Sequence, residues 1–190
     1  MNLRKSLYAL ALFLTPAVAF AHPGHDQAGL LAGLSHPLLG LDHLLAMLAV
    51  GLWAAQQRGA TRWVLPLAFV ASMLLGGLLG FAGLRLPLLE TGIAGSVLAF
   101  GLLVAVAARL PRAMALGLTG LFALSHGVAH GLELPALASP WTYAAGFVAA
   151  TGALHAGGYA LVRYLPQAAA PLVRLAGAAT AGAGVWLLAG

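Results

Sequence analysis

The sequence predicts an all-α membrane protein, a polytopic bundle of six transmembrane helices that follows a cleaved signal peptide. Three observations predict this fold class. Hydrophobic residues make up 62% of the 190 residues and charged residues only 7%, which is too few to cover the surface of a water-soluble domain. The apolar residues fall into stretches close to the ~20 residues that a helix needs to cross a bilayer. Short breaks with arginine, glycine or proline separate the stretches and leave no room for a soluble domain.

Residues 1–21 have the pattern of a signal peptide. A charged start precedes a short apolar run, and that run is too short to cross ~30 Å of hydrocarbon. The segment ends in the small-x-small sequence Ala19-Phe20-Ala21, which is typical of a cleavage site. We therefore expect residues 22–190 to form one transmembrane domain whose mature N-terminus lies in the periplasm.

The six predicted spans follow one another closely along the rest of the chain. They cover residues 36–56, 64–83, 88–108, 113–132, 141–162 and 169–189. The second span contains Gly76-x-x-x-Gly80, a pattern that lets two membrane helices approach closely. We interpret this pattern as a packing surface and assign it no chemistry.

The charges predict how the spans are oriented. With a periplasmic start, the cytoplasmic connections carry most of the arginines, namely Arg58, Arg62, Arg109, Arg112 and Arg163. This positive-inside bias predicts a multi-pass inner-membrane protein with both mature termini in the periplasm. All four carboxylates fall on the periplasmic side of this topology: Asp26, Asp42, Glu90 and Glu133. A cation that approaches from outside would meet a negative surface.

Several classes of function are excluded by composition. The chain has no cysteine, which excludes thiolate metal sites and iron–sulfur clusters. Its only lysine is Lys5, so it has no Walker-type phosphate loop and we expect no nucleotide. The net charge is +5, but the basic residues do not cluster, so nucleic acid is not an expected partner. We expect no prosthetic group.

The first group of polar residues opens the first predicted span, in the segment His36-Pro37-Leu38-Leu39-Gly40-Leu41-Asp42-His43. Proline is favoured just inside a helix start, so we expect His36 at the N-cap and a regular helix after it. In such a helix His36 and His43 share nearly the same face. Asp42 points to a different face of that helix. It either approaches the site through a distortion at Gly40 or orients a ligating histidine, and the sequence leaves both possibilities open.

The second group lies at the outer end of the fourth predicted span. His126, His130 and Glu133 follow at i, i+4 and i+7, which places them on one helix face. Glu90 lies at the same level in the third span. Imidazoles and carboxylates are suitable ligands for a divalent transition metal. The candidate metal ligands are His36, Asp42, His43, Glu90, His126, His130 and Glu133.

Other polar residues have weaker signals. His155 lies deeper, in the fifth span, and either hydrogen-bonds a neighbouring helix or forms an inner station for a metal ion. Met47 continues the stripe of His36 and His43 and could lend a soft thioether ligand. His22 and His25 near the mature terminus either collect metal or have no role.

Two segments resemble a known family. HPLLGLDHLLAMLAVG (His36 to Gly51) resembles the His-x5-Asp-His signature of the HupE/UreJ family of nickel/cobalt transporters, and HGVAHGLELP (His126 to Pro135) resembles that family's second motif. The resemblance implies uptake of Ni²⁺, or Co²⁺, to supply metalloenzymes such as hydrogenase or urease. It also implies functional roles for His36, Asp42, His43, Glu90, His126, His130 and Glu133.

The expected function is therefore that of a secondary transporter, not an enzyme, with a divalent metal ion and the lipid bilayer as partners. One alternative is a metal-capture subunit whose ATPase partners are separate chains. Another is a membrane metalloenzyme, although Ser96 and Ser125 lack the surroundings of a serine nucleophile. A metal sensor or chaperone is disfavoured by the short loops.

Overall fold

The computed structural model describes residues 25–134 and 139–190. The predicted signal peptide, His22, Pro135 and the side chains of His25 and Asp26 lie outside the described part. Every regular element in the described ranges is helical, which confirms the all-α class. The α-helices are α1 (His25–Leu39), α2 (Leu41–Gln56), α3 (Thr61–Phe81), α4 (Leu89–Ala105), α5 (Arg112–Leu132), α6 (Pro140–Tyr164) and α7 (Ala170–Ala189), with a 3₁₀ turn at Gln167–Ala169 before α7.

Helices long and apolar enough to cross a membrane dominate the described part of the chain. Four qualify alone: α3, α5, α6, and α7 together with its 3₁₀ turn. Helices α1 and α2 qualify together as a fifth, sharply bent span. Helix α4 has 17 residues and a length of about 26 Å, slightly less than the ~30 Å of the hydrocarbon layer. These helices are consistent with a membrane helix bundle, while six spans remain a prediction.

The first predicted span is not one regular helix, and the expectation of His36 at an N-cap is wrong. His36 and Pro37 instead lie in the last turn of α1, and the chain bends by 80° before α2. Gly40 is the break, with extended backbone angles (φ −82°, ψ 115°). Helix α1 continues upstream of the proline because it packs along α6. A Cβ at Gly33 would overlap the backbone of Tyr143, so tertiary packing overrides the local start signal.

Helix α2 is the central helix of the bundle. It packs against α6, α4 and α3, and its side chains Met47, Val50 and Trp53 have no exposed surface. The Trp53 indole Nε1 donates to the carbonyl of Ala108, just beyond the end of α4, at 2.8 Å. This bond holds the C-terminal end of α2, opposite the end with Asp42 and His43, against the end of α4.

Glycines bring α3 and α5 into direct backbone contact. A Cβ at Gly76 would overlap the carbonyl oxygen of Leu124, and one at Gly80 would overlap that of Val128. In the opposite direction, a Cβ at Gly127 would overlap the carbonyl oxygen of Met73. The expected packing role of Gly76 and Gly80 is confirmed. This contact holds the histidines of α5 at a fixed position against α3.

Candidate metal site

A cavity of about 390 Å³ lies beside the bend between α1 and α2. Side chains from α1, α2 and α4, from the end of α5 and from α6 line it. Five of the seven predicted ligands are among the lining residues: His36, Asp42, His43, Glu90 and Glu133. Residues separated by up to 97 positions in the sequence therefore face one space.

Three histidines from three helices form what we call the histidine cluster: His36 of α1, His43 of α2 and His130 of α5. Each offers one ring nitrogen, and these nitrogens all lie within 4.8 Å of one another. Imidazole nitrogens bind divalent metals at about 2.0–2.1 Å, so two ligands of one ion are at most ~4.2 Å apart. Small side-chain movements would therefore allow all three to bind a single ion.

The bend at Gly40 is what brings His36 close to His43. In a straight helix seven residues would separate the two along the axis by about 10.5 Å. Their ring centroids are only 5.8 Å apart, and the His36 and His130 rings are 4.7 Å apart. The proximity arises from the bend between two helices and not from a shared face of one helix.

Asp42 holds the ring of His43. The Asp42 Oδ1 accepts a hydrogen bond from the backbone N–H of His43 at 2.8 Å and lies 2.7 Å from His43 Nδ1. Since a carboxylate accepts, Nδ1 carries the proton and the lone pair is on Nε2. The His43 Nε2 is buried and has no hydrogen-bond partner. This arrangement matches the second possibility left open by the sequence, in which Asp42 orients a ligating histidine.

Glu133 lies at the rim of the cavity. It is the C-cap residue of α5, its side chain is 52% exposed, and its Oε2 lies 3.3 Å from His36 Nε2. A carboxylate oxygen and an imidazole nitrogen at that separation can bind the same ion as adjacent ligands. Glu90 lies in the first turn of α4 and is likewise exposed at the cavity. With Asp42, these acids give the cavity a negative character that attracts cations.

His126 lies one helical turn deeper than His130 and does not belong to the histidine cluster. The Ser96 hydroxyl donates to the carbonyl of Ile93 at 2.6 Å, so it accepts from His126 Nε2 at 2.8 Å. The Nδ1 of His126 is buried without a partner. Its ring centroid is 4.8 Å from that of His43, so it lies directly beneath the cluster.

Two aromatic side chains of α6 complete the surroundings, and the sequence did not identify them. Phe147 packs on His130 with ring centroids 3.9 Å apart, and Tyr143 lies 6.2 Å from His36. Aromatic residues four apart on a helix usually indicate ordinary packing, so no local signal marks these two. Both aromatic rings therefore lie against the histidine cluster.

Comparisons with known proteins agree over nearly the whole chain. The family model described as "HupE / UreJ protein" matches residues 10–187. The chain is similar to Protein HupE of Rhizobium leguminosarum bv. viciae, with 45% identity over 191 residues that cover all of both proteins. No solved structure matches significantly.

Proposed function

The chain belongs to the HupE / UreJ family, and from this premise we propose that it carries Ni²⁺, and also Co²⁺, from the periplasm into the cytoplasm. It acts as a secondary transporter of the inner membrane. The choice of nickel and cobalt follows from the family, since imidazole and carboxylate ligands suit several divalent metals. The transported ion is the substrate of the protein.

The observation that carries the proposal is the histidine cluster beside a cavity lined by carboxylates. Three helices each contribute one nitrogen, and these nitrogens lie within 4.8 Å of one another. His43 and His130 are 6% and 4% exposed, whereas Glu133 at the rim is 52% exposed. Buried ionisable groups of this kind in a membrane helix bundle support a path for an ion.

In this mechanism the carboxylates act first. Glu90 and Glu133 attract the hydrated ion and replace some of its water. The ion then binds the Nε2 of His43, which Asp42 has already oriented, together with His36 and His130. Water or Glu133 completes the coordination, so the site is not a closed cage and can release the ion.

The membrane potential favours movement of the metal ion into the cell. An inward-negative membrane potential favours entry of a divalent cation by roughly 4.6 kcal/mol per 100 mV. Helices α1 and α2, which carry His36 and His43, meet at the bend of Gly40, and α5, which carries His130, packs on α3 through the glycine contact. A change in the angle at either place would separate the ligands and release the ion from the cluster.

Uptake of ⁶³Ni²⁺ tests the proposal in cells that lack their own nickel transporters and express this chain alone. Wild-type cells should accumulate nickel, and His43→Ala and His130→Ala should each reduce uptake at least tenfold. Ser125→Ala is the matched control, because Ser125 lies on α5 next to His126 and its hydroxyl bonds only within its own helix.

Three outcomes contradict the proposal. No uptake by the wild-type chain alone would favour the metal-capture subunit. Unchanged uptake in both histidine variants would exclude the cluster as the path. Competition by excess Mg²⁺ equal to that by Co²⁺ would exclude a transition-metal site, because imidazole binds Mg²⁺ poorly.

A further inference from the structure

A second group of possible metal ligands lies deeper in the bundle than the histidine cluster. It consists of Met47 of α2, Met73 of α3, and Thr151 and His155 of α6. All four are buried, with exposed fractions of 0%, 2%, 0% and 3%. The proposed function described above uses none of them.

His155 presents an unused nitrogen in this region. Its Nδ1 lies 2.8 Å from the carbonyl oxygen of Met47, and because a carbonyl only accepts, Nδ1 carries the proton. The lone pair is therefore on Nε2, which is buried and has no hydrogen-bond partner. An unpartnered polar atom in a protein interior is unfavourable unless a ligand satisfies it.

Two thioethers meet beside the same helix face. The hydroxyl of Thr151 lies 3.3 Å from the sulfur of Met47 and 3.9 Å from that of Met73. Thr151 and His155 are four residues apart on α6 and thus share a face. The two sulfurs therefore lie against α6 at Thr151, one helical turn from His155.

A row of rings connects His155 to the histidine cluster. The His43 and His126 centroids are 4.8 Å apart, those of His126 and Phe69 are 5.9 Å apart, and those of Phe69 and His155 are 5.0 Å apart. Phe69 is fully buried and lies between the two histidines. An ion that leaves His43 inward would reach His155 once the Phe69 ring moves aside.

We propose that Met47, Met73 and His155 form an inner station that binds the divalent transition-metal ion after the histidine cluster. The inference rests on the proposed transport function and adds a second binding site to it. One imidazole and two thioethers accept late first-row ions and reject hard ions such as Mg²⁺ and Ca²⁺.

The inner station binds the metal ion weakly because its ligands carry no charge. Asp42, Glu90 and Glu133 all lie at the cavity, so the ligands offered here are neutral. A divalent ion in an apolar interior without a counter-charge is poorly stabilised. The ion therefore stays briefly and moves on, as a transporter requires.

Two variants remove the ligands while keeping the packing. His155→Asn retains an N–H that can donate to the Met47 carbonyl but has no ring lone pair. The double variant Met47→Leu with Met73→Leu replaces both sulfurs at nearly constant volume. Met114→Leu is the matched control, because Met114 is 60% exposed on the outer surface of α5.

The test combines ⁶³Ni²⁺ uptake with Ni²⁺ binding to the purified full-length protein. We expect both sets of variants to lose at least tenfold in uptake and to keep the wild-type affinity of the histidine cluster within twofold. Met114→Leu should match the wild type in both measurements. Retained binding with lost passage is not expected from a variant that merely misfolds.

Two results would overturn the inner station. Wild-type uptake by the double methionine variant would exclude the thioethers. Wild-type uptake by His155→Asn together with lost uptake in His155→Ala would show that His155 only donates a structural hydrogen bond. If His155→Asn also loses Ni²⁺ binding, uptake by the double methionine variant alone tests the inner station. Failure of the proposed function is distinguishable, because the wild-type chain itself would then show no uptake.

Discussion

Replacing Asp42 by asparagine should weaken Ni²⁺ binding without destroying the histidine cluster. Asparagine keeps the size of the side chain and can still accept from the backbone N–H of His43. It removes the charge that faces His43 Nδ1 at 2.7 Å. Its amide N–H can also donate to Nδ1, which would move the imidazole proton to Nε2 and block the ligand atom.

The size of the effect follows from the position of Asp42. Loss of a residue that orients a metal ligand typically lowers affinity about 10-fold to 100-fold, which equals about 1.4–2.7 kcal/mol. The Asp42 side chain is 25% exposed, so solvent screens part of its charge. We therefore expect a loss of about 10-fold, at the lower end of the range.

The assay is equilibrium binding of ⁶³Ni²⁺ to the purified protein in detergent, compared with wild type and His43→Ala. The Ni²⁺ affinity of Asp42→Asn should lie between those of the wild type and His43→Ala, and the affinity of Ser125→Ala should match that of the wild type. An affinity within twofold of wild type would show that the Asp42–His43 contact does not matter for binding. A loss as large as that of His43→Ala would indicate that Asp42 is itself a ligand.

Two further predictions concern the packing that positions the site. Gly127→Ala places a methyl group against the backbone of α3 and should destabilise the protein by about 1–3 kcal/mol. Gly117→Ala on the same helix meets no atom within 4 Å and should leave thermal stability in detergent unchanged. Ser96→Ala leaves the buried Nε2–H of His126 without an acceptor and should cost about 1–3 kcal/mol. Equal melting temperatures for Gly127→Ala and Gly117→Ala, or a wild-type value for Ser96→Ala, would refute the respective prediction.

Much of the candidate site was readable from the sequence because its residues carry unusual chemistry for a membrane helix. His130 and Glu133 stand out as polar groups within apolar stretches. Their shared helix face follows from the regular helix period, and the structure indeed extends α5 through Leu132. The position of Glu90 near a helix start was also correct within one turn.

The first motif was harder to read because its geometry is not that of one helix. The proline at position 37 suggested a helix start, yet α1 continues through it owing to contacts with α6. The role of Asp42 depended on the break at Gly40, and no local preference determines whether a glycine bends a helix. The sequence left two roles open for Asp42, and the structure shows the contact with His43 that the second role requires.

The sequence by itself determined that this is an all-helical membrane protein and which chemical groups it offers to a metal. Both are local properties, because hydropathy and ligand type are set residue by residue. Only the tertiary structure decided which of these groups meet and which ring nitrogens of His126 and His155 are free. Those properties depend on contacts between distant parts of the chain, such as Met47 with Thr151, 104 positions apart. Partners on other helices, Ser96 for His126 and Met47 for His155, fix the positions of these imidazole protons, and no pattern along a single helix specifies such partners.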